Sequence, residues 1–207
     1  VVLGVGLSSR YEPSFQEARR MLAEGVLGNA EMITSVYHYT LGPAAPGRTW
    51  HNDPAMLGGG ALTQMGIHST DRVCWFADAA PVQVYGRVAK GSGRWADNLA
   101  LVTVAFSNGL SGQIEVAGVA SAPRNVLTVH TSKGQIEVSE RRLAWYDGDW
   151  HEREYEWPAV HAAEVPDFVA AISEGREPLC SGERALPAHA VCFGAYRSSV
   201  EGRAVSV

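Results

Sequence analysis

Between residues 82 and 146 the chain alternates short apolar runs with tight polar turns, and this pattern limits the fold more than any other feature. Val82 to Ala89, Leu99 to Phe106, Leu110 to Val116, Asn125 to Thr131, Gly134 to Val138 and Leu143 to Tyr146 are rich in β-branched or aromatic residues. Such runs favour strands. Ser107-Asn108-Gly109 and Ser132-Lys133-Gly134 supply hairpin-type turns between them, with a glycine free to take positive φ. Connections this short leave no room for a crossover, so the strands they join run antiparallel. The pentapeptide GQIEV occurs at 112–116 and again at 134–138. Its flanks differ, so it reads as two strands leaving glycine-containing turns and not as a repeat unit.

Helical patterns bracket the strands. Over Glu12 to Gly25, Phe15, Ala18, Met21 and Leu22 recur at helical spacing, with Pro13 in the first turn and Gly25 at the stop. Met32 to Tyr39 predicts a strand, and Ala61 to Ala77 a helix. Leu41 to Gly60, with three Pro and five Gly, predicts a long loop, a kind that inside a compact domain is usually functional. Ala163 to Glu174 and Gly182 to Glu201 predict two closing helices, followed by a strand-like Ala204 to Val207. The expectation is an α+β fold: an open, mostly antiparallel (mixed) sheet with helices on one face. The uncovered face has to be buried elsewhere, which predicts a homo-dimer or tetramer through the sheet residues between Val82 and Val138.

Composition narrows the function classes. The 207 residues are 46% hydrophobic and 19% charged, enough for one large domain with a full core. A formal charge of −5 and the lack of a Lys/Arg run give no electrostatic footprint for nucleic acid. No window approaches the roughly 18 consecutive apolar residues of a membrane span, and the first residues predict no signal peptide. Cys74, Cys180 and Cys192 are odd in number, widely spaced and set among apolar neighbours. Buried thiols in a reducing, cytoplasmic compartment are expected, without a disulfide framework.

VVLGVGLSSR at the start raises a dinucleotide-binding fingerprint, and fails it. That motif needs a third Gly or Ala and an acid at the end of the next strand. Ser9 stands at the third position, Pro13 delays the helix, and Glu31 lies at the beginning of the next strand. A buried strand with closely packed glycines accounts for the pattern.

Chemistry concentrates in Trp50-His51-Asn52-Asp53-Pro54 and in Gly58-Gly59-Gly60 with the helix behind it. Three consecutive glycines let backbone approach something closely or bend sharply. On the helix, Gln64 and His68 are i and i+4, and Asp71 continues the stripe three residues on. A polar row among Leu62, Met65, Ile67, Cys74, Trp75 and Phe76 is expensive to bury unless satisfied or used. Two readings stand. In one this is a substrate pocket, with His68 handling a proton or binding a hydroxyl and Gln64 hydrogen-bonding a polyol. In the other the stripe contacts the adjoining loop and His68 is structural. His51 with Asp53, or His68 with Asp71, lacks further ligands at metal-binding spacing, so no metal centre is expected. No Gly-x-Ser-x-Gly elbow or phosphate loop is present. Trp145, Tyr146, Trp150 and His151 read as an aromatic packing cluster.

Taken in order, these pieces resemble the C-terminal half of the glucose–fructose oxidoreductase / inositol dehydrogenase (Gfo/Idh/MocA) family. The resemblance runs from Arg10-Tyr11-Glu12-Pro13 and Glu24-Gly25-Val26-Leu27-Gly28 through Trp50 to Asp53, Gly58 to Gly60, and Gly66-Ile67-His68 with Asp71. It continues in Phe106 to Gly109, Lys133 to Val138, Glu164 to Phe168 and Gly175-Arg176-Glu177-Pro178. The resemblance implies a dihydrodipicolinate-reductase-like C-terminal domain over residues 13–207. Residues 1–12 would then be the last strand of, or crossover from, a Rossmann domain absent from the 207 residues. It further implies an NAD- or NADP-dependent oxidoreductase acting on a sugar, cyclitol or related alcohol, the cofactor being held mainly by that other domain. His68 would be catalytic, tuned near working pH, with Gln64, Trp50, Arg10, Asp71, Gly59 and Gly60 shaping the substrate site. Two departures matter. The family's Glu-Lys-Pro segment is not in this chain, and Gln64 stands where the family often carries Asp. A neutral amide orients a hydroxyl but is no general base, so a non-catalytic binding module with the same fold is the alternative.

Overall fold

The computed structural model describes residues 1–40, 54–91, 97–156 and 160–207. A 3-10 turn (Ser8–Tyr11) leads into α1 (Pro13–Ala23) and then β1 (Ala30–Thr40). Two four-residue helices, α2 (Pro54–Leu57) and α3 (Ala61–Gln64), precede α4 (Gly66–Ala77). Seven strands follow in succession. They are β2 (Pro81–Ala89), β3 (Leu99–Phe106), β4 (Ser111–Ala117), β5 (Val119–Thr131), β6 (Gly134–Val138), β7 (Arg142–Tyr146) and β8 (Trp150–Glu154). Helices α5 (Val160–Glu174) and α6 (Gly182–Glu201) and the short β9 (Val205–Ser206) close the chain.

Among the described residues the strands form one nine-stranded sheet, ordered β8-β7-β6-β5-β1-β4-β3-β2-β9. The tight turns give antiparallel neighbours, as expected, while β1 runs parallel to β4, with Ser35 opposite Ile114 and Tyr37 opposite Val116. The sheet is therefore mixed. Alternation along the strands sends Ile33, Val84, Val102, Val104, Ile114, Leu127, Val129 and Ile136 to one face. They pack against Phe15 and Ala18 of α1, Val73 and Phe76 of α4, and Val191 and Ala195 of α6. Each large side chain so buried contributes roughly 1.5–3 kcal/mol before entropy is counted. On the opposite face Tyr85 and Leu101 stay 54% exposed. This is the open, helix-on-one-face α+β architecture.

Four local expectations need correction. The helix expected over 61–77 is interrupted at Met65. A Cβ on Gly66 would lie 2.8 Å from Val116 Cγ2, so Gly66 sits against β4 and the backbone restarts there. Strand β5 begins six residues early because Val119 pairs with Thr40 at the far end of β1. The aromatic packing cluster forms as expected, with Trp145 stacked on His151 at 5.2 Å and Tyr146 facing Trp150, but on a hairpin whose second strand, β8, was not expected. Helix α5 starts at Val160, three residues before Ala163. Of the long loop over 41–60, residues 41–53 lie outside the described residues, and 54–57 are helical.

Candidate functional site

The glycine run is shaped by protein contacts. Gly58 has φ +70° and Gly59 φ +149°, backbone that favours glycine. A Cβ on Gly60 would lie 2.3 Å from the carbonyl oxygen of Asp97, and one on Gly59 2.7 Å from the Tyr196 hydroxyl. The Ala61 amide donates to the Asp97 carbonyl at 3.0 Å and the Leu62 amide to Asp97 Oδ2 at 3.2 Å. The Tyr196 hydroxyl donates to Asp97 Oδ1 at 2.7 Å and accepts from the Gly60 amide at 3.1 Å. Gly59 thus closely approaches Thr63 and Tyr196, and Gly60 approaches Asp97, while a Cβ on Gly58 would meet nothing within 4 Å. The amides that open the helix behind them are paired with Asp97 and Tyr196.

Gln64 ends α3 and His68 lies in the first turn of α4, both partly buried. The break at Met65, where the His68 amide bonds the Met65 carbonyl at 3.2 Å, separates the two along the helix. Burial, aided by the positive charge of Arg72, pulls the His68 imidazole down to about 4. It is therefore neutral at pH 7 and sits well below working pH. Desolvation, with no carboxylate partner among the described residues, is the reason the expected tuning does not appear.

Arg10 and Asp71 face each other. Arg10 Nη2 donates to Asp71 Oδ1 at 2.7 Å and Nε to Oδ2 at 3.1 Å, and both residues are buried. A further Nη2 bond to the Arg184 carbonyl (3.1 Å) and the Trp75 ring 5.7 Å from the guanidinium complete the surroundings. This bidentate pair ties the 3-10 turn to α4 and α6. Trp50, with His51 and Asp53, falls outside the described residues.

Sequence reasoning missed the second half of the polar cluster. Arg72, one turn beyond His68, is buried, with its guanidinium 4.5 Å from the Phe15 ring centre. Its Nε donates to Ser9 Oγ at 2.7 Å, Nη1 to Asn125 Oδ1, and Nη2 lies 3.9 Å from Glu140 Oε1. Glu12 is also buried, and its Oε2 has no hydrogen-bond partner among the described residues. Burial pushes the Glu12 carboxyl up to about 7, Arg72 opposing. Continuing the Gln64–His68 stripe one further turn reaches Arg72, so that signal was available. Glu12, Asn125 and Glu140 come from three separate elements and had none.

Comparison with known proteins fits this geometry. The family model for the GFO/IDH/MocA C-terminal domain matches residues 15–137. The chain belongs to the Gfo/Idh/MocA family. An inositol 2-dehydrogenase of Rhizobium meliloti is 28% identical over 228 residues, covering 99% of this chain and 65% of the relative. An aldose–aldose oxidoreductase from Caulobacter crescentus, solved with glycerol, superposes with a TM-score of 0.88 at 23% identity over 100% of this chain and 64% of that one. An NAD-binding oxidoreductase from Klebsiella pneumoniae gives 0.85 at 17% identity, over 98% and 65%. The chain thus spans about 65% of the length of the curated relative it matches.

The nicotinamide cofactor that the family implies finds no cradle among the described residues. Gly4 forms an isolated bridge with Ser181, and a Cβ there would lie 2.8 Å from the Phe168 ring. The Val5 amide donates to the Cys180 carbonyl at 2.8 Å. These glycines pack on α5 and its link to α6, and no strand–turn–helix unit follows them. Among the described residues no three His, Cys, Asp or Glu side chains group as metal ligands, and no helix is long and apolar enough to cross a membrane. All three cysteines are free and buried.

Proposed function

We propose that this Gfo/Idh/MocA domain binds the substrate of a nicotinamide-dependent oxidoreductase and holds its oligomer together. The substrate class is a sugar, cyclitol or related polyol. Residues 13–207 form the domain, and residues 1–12 lead from a nucleotide-binding unit outside the 207 residues. The likeness to an inositol 2-dehydrogenase and the glycerol in the Caulobacter structure support that class. The free buried thiols suit a reducing cytoplasm.

The observation that carries this reading is His68, a partly buried, neutral imidazole in the first turn of α4, four residues after Gln64 closes α3. A neutral imidazole nitrogen accepts the hydrogen of a substrate hydroxyl. The Gln64 amide donates to one hydroxyl and accepts from another, which orients the ring without moving a proton. Arg10 and Asp71 bond to each other and so serve as a brace under α4. NAD or NADP, when bound, supplies the hydride acceptor or donor, and the described residues offer no cradle for it.

A non-catalytic binding module is favoured by one feature: Gln64 carries a neutral amide, which is no general base. Assaying the full-length protein for NAD(P)-linked oxidation of a polyol panel separates the two. Turnover by the full-length protein and none by the 207-residue chain is the expected result. Polyol binding without any turnover establishes the module instead.

A further inference from the structure

We propose that Tyr196 and Asp97 are positioning residues for the site, fixing the direction of α3 and hence of Gln64; this rests on the polyol-oxidising reading above. Three consecutive amides, those of Gly60, Ala61 and Leu62, open α3, and all three are satisfied by Tyr196 and Asp97. Gly60 supplies no side-chain cap, and no capping residue could replace it, because any Cβ there would collide with Asp97. Helix starts normally take their caps from the local sequence. Here the cap comes from the lead-in to β3 and from the middle of α6, two elements far away in the chain.

The break at Met65 makes this matter. A continuous helix over 61–77 would inherit its direction from the buried α4. With the regular bonding interrupted at Met65, where the His68 amide reaches only three residues back, α3 depends more on its own contacts. Its single turn is set at one end by the Asp97–Tyr196 pair and at the other by Gly66 against Val116. Gln64 closes that turn, its backbone N–H donating to the Gly60 carbonyl at 3.0 Å, while the Thr63 hydroxyl donates to the same oxygen at 3.3 Å. Moving Gly60 therefore moves the Gln64 side chain, which reads the substrate hydroxyls. Misplacement on the scale of 1 Å lowers turnover by up to about a hundredfold.

The test is Tyr196→Phe in the full-length protein, which removes one oxygen and keeps the ring. Kinetics use myo-inositol and NAD+ as probes, and amide hydrogen exchange is read residue by residue. The expected result is faster exchange at Gly60 to Leu62, unchanged exchange in the body of α4, and kcat lower by roughly tenfold with a smaller change in KM. Faster exchange with wild-type kcat overturns the proposal, leaving the pair a purely structural cap. Unchanged exchange also overturns it. Asp97→Asn, which weakens the same acceptor, serves if Tyr196→Phe does not fold, and the same outcomes apply. Should the wild-type protein not turn over these probes, that failure counts against the activity alone. The proposal is then decided by the Gln64 side-chain amide resonances: a shift in the variant supports it, and identical resonances overturn it.

Discussion

Arg10 and Asp71, sixty-one residues apart, meet in a buried bidentate ion pair at 2.7 and 3.1 Å. Both sit in motifs that resemble a substrate site, yet their polar atoms are directed at each other. Removing one partner leaves an uncompensated buried charge, which costs about 3–5 kcal/mol. Arg10→Met and Asp71→Asn are each expected to lose stability on that scale in denaturant titrations. The double variant should recover part of the loss.

Glu12 predicts a pH dependence of stability. Its folded value of about 7 lies above the ordinary 4.5, because burial disfavours the charged form. A carboxyl raised on folding stabilises fully below its unfolded value. The contribution falls as pH rises from about 4.5 through 7, a loss of about 3 kcal/mol. Glu12→Gln should remove that slope in urea titrations across this range and be the more stable protein at pH 8.

The exposed sheet face predicts self-association. Leu101 lies opposite Arg87 on one side and Glu115 on the other, with Tyr85 opposite Thr103 on the same face. A dimer or tetramer is expected at micromolar concentration in sedimentation velocity, and Leu101→Glu, placed beside Glu115, should yield monomers with unaltered circular dichroism. A wild-type monomer would contradict this use of the face.

Much of this architecture was legible in the sequence because alternation and tight turns are local signals. Helix α6 lies where its pattern puts it, from Gly182 to Glu201. The parallel pairing of β1 with β4 was not legible, since it depends on strands some eighty residues apart. Nor was the interruption at Met65, which arises from the approach of Gly66 to Val116. At the site the stripe Gln64–His68–Asp71 could be read from helical spacing, but the ion-pair partner of Asp71 could not. The carboxyl of Glu12 was equally hidden. It is buried only because α1, α4 and the turn after β6 converge on Arg72, and no local pattern encodes that convergence.

The most direct measurement of the central claim is His68→Ala in the full-length protein, assayed by reduced-nicotinamide formation on a polyol that the wild type oxidises. With His68 as the group that takes up the hydroxyl proton, kcat should fall by roughly 10²–10⁴, while the melting temperature stays near that of the wild type. A decrease of less than about threefold, against that range, would contradict the account and make His68 a structural residue of α4.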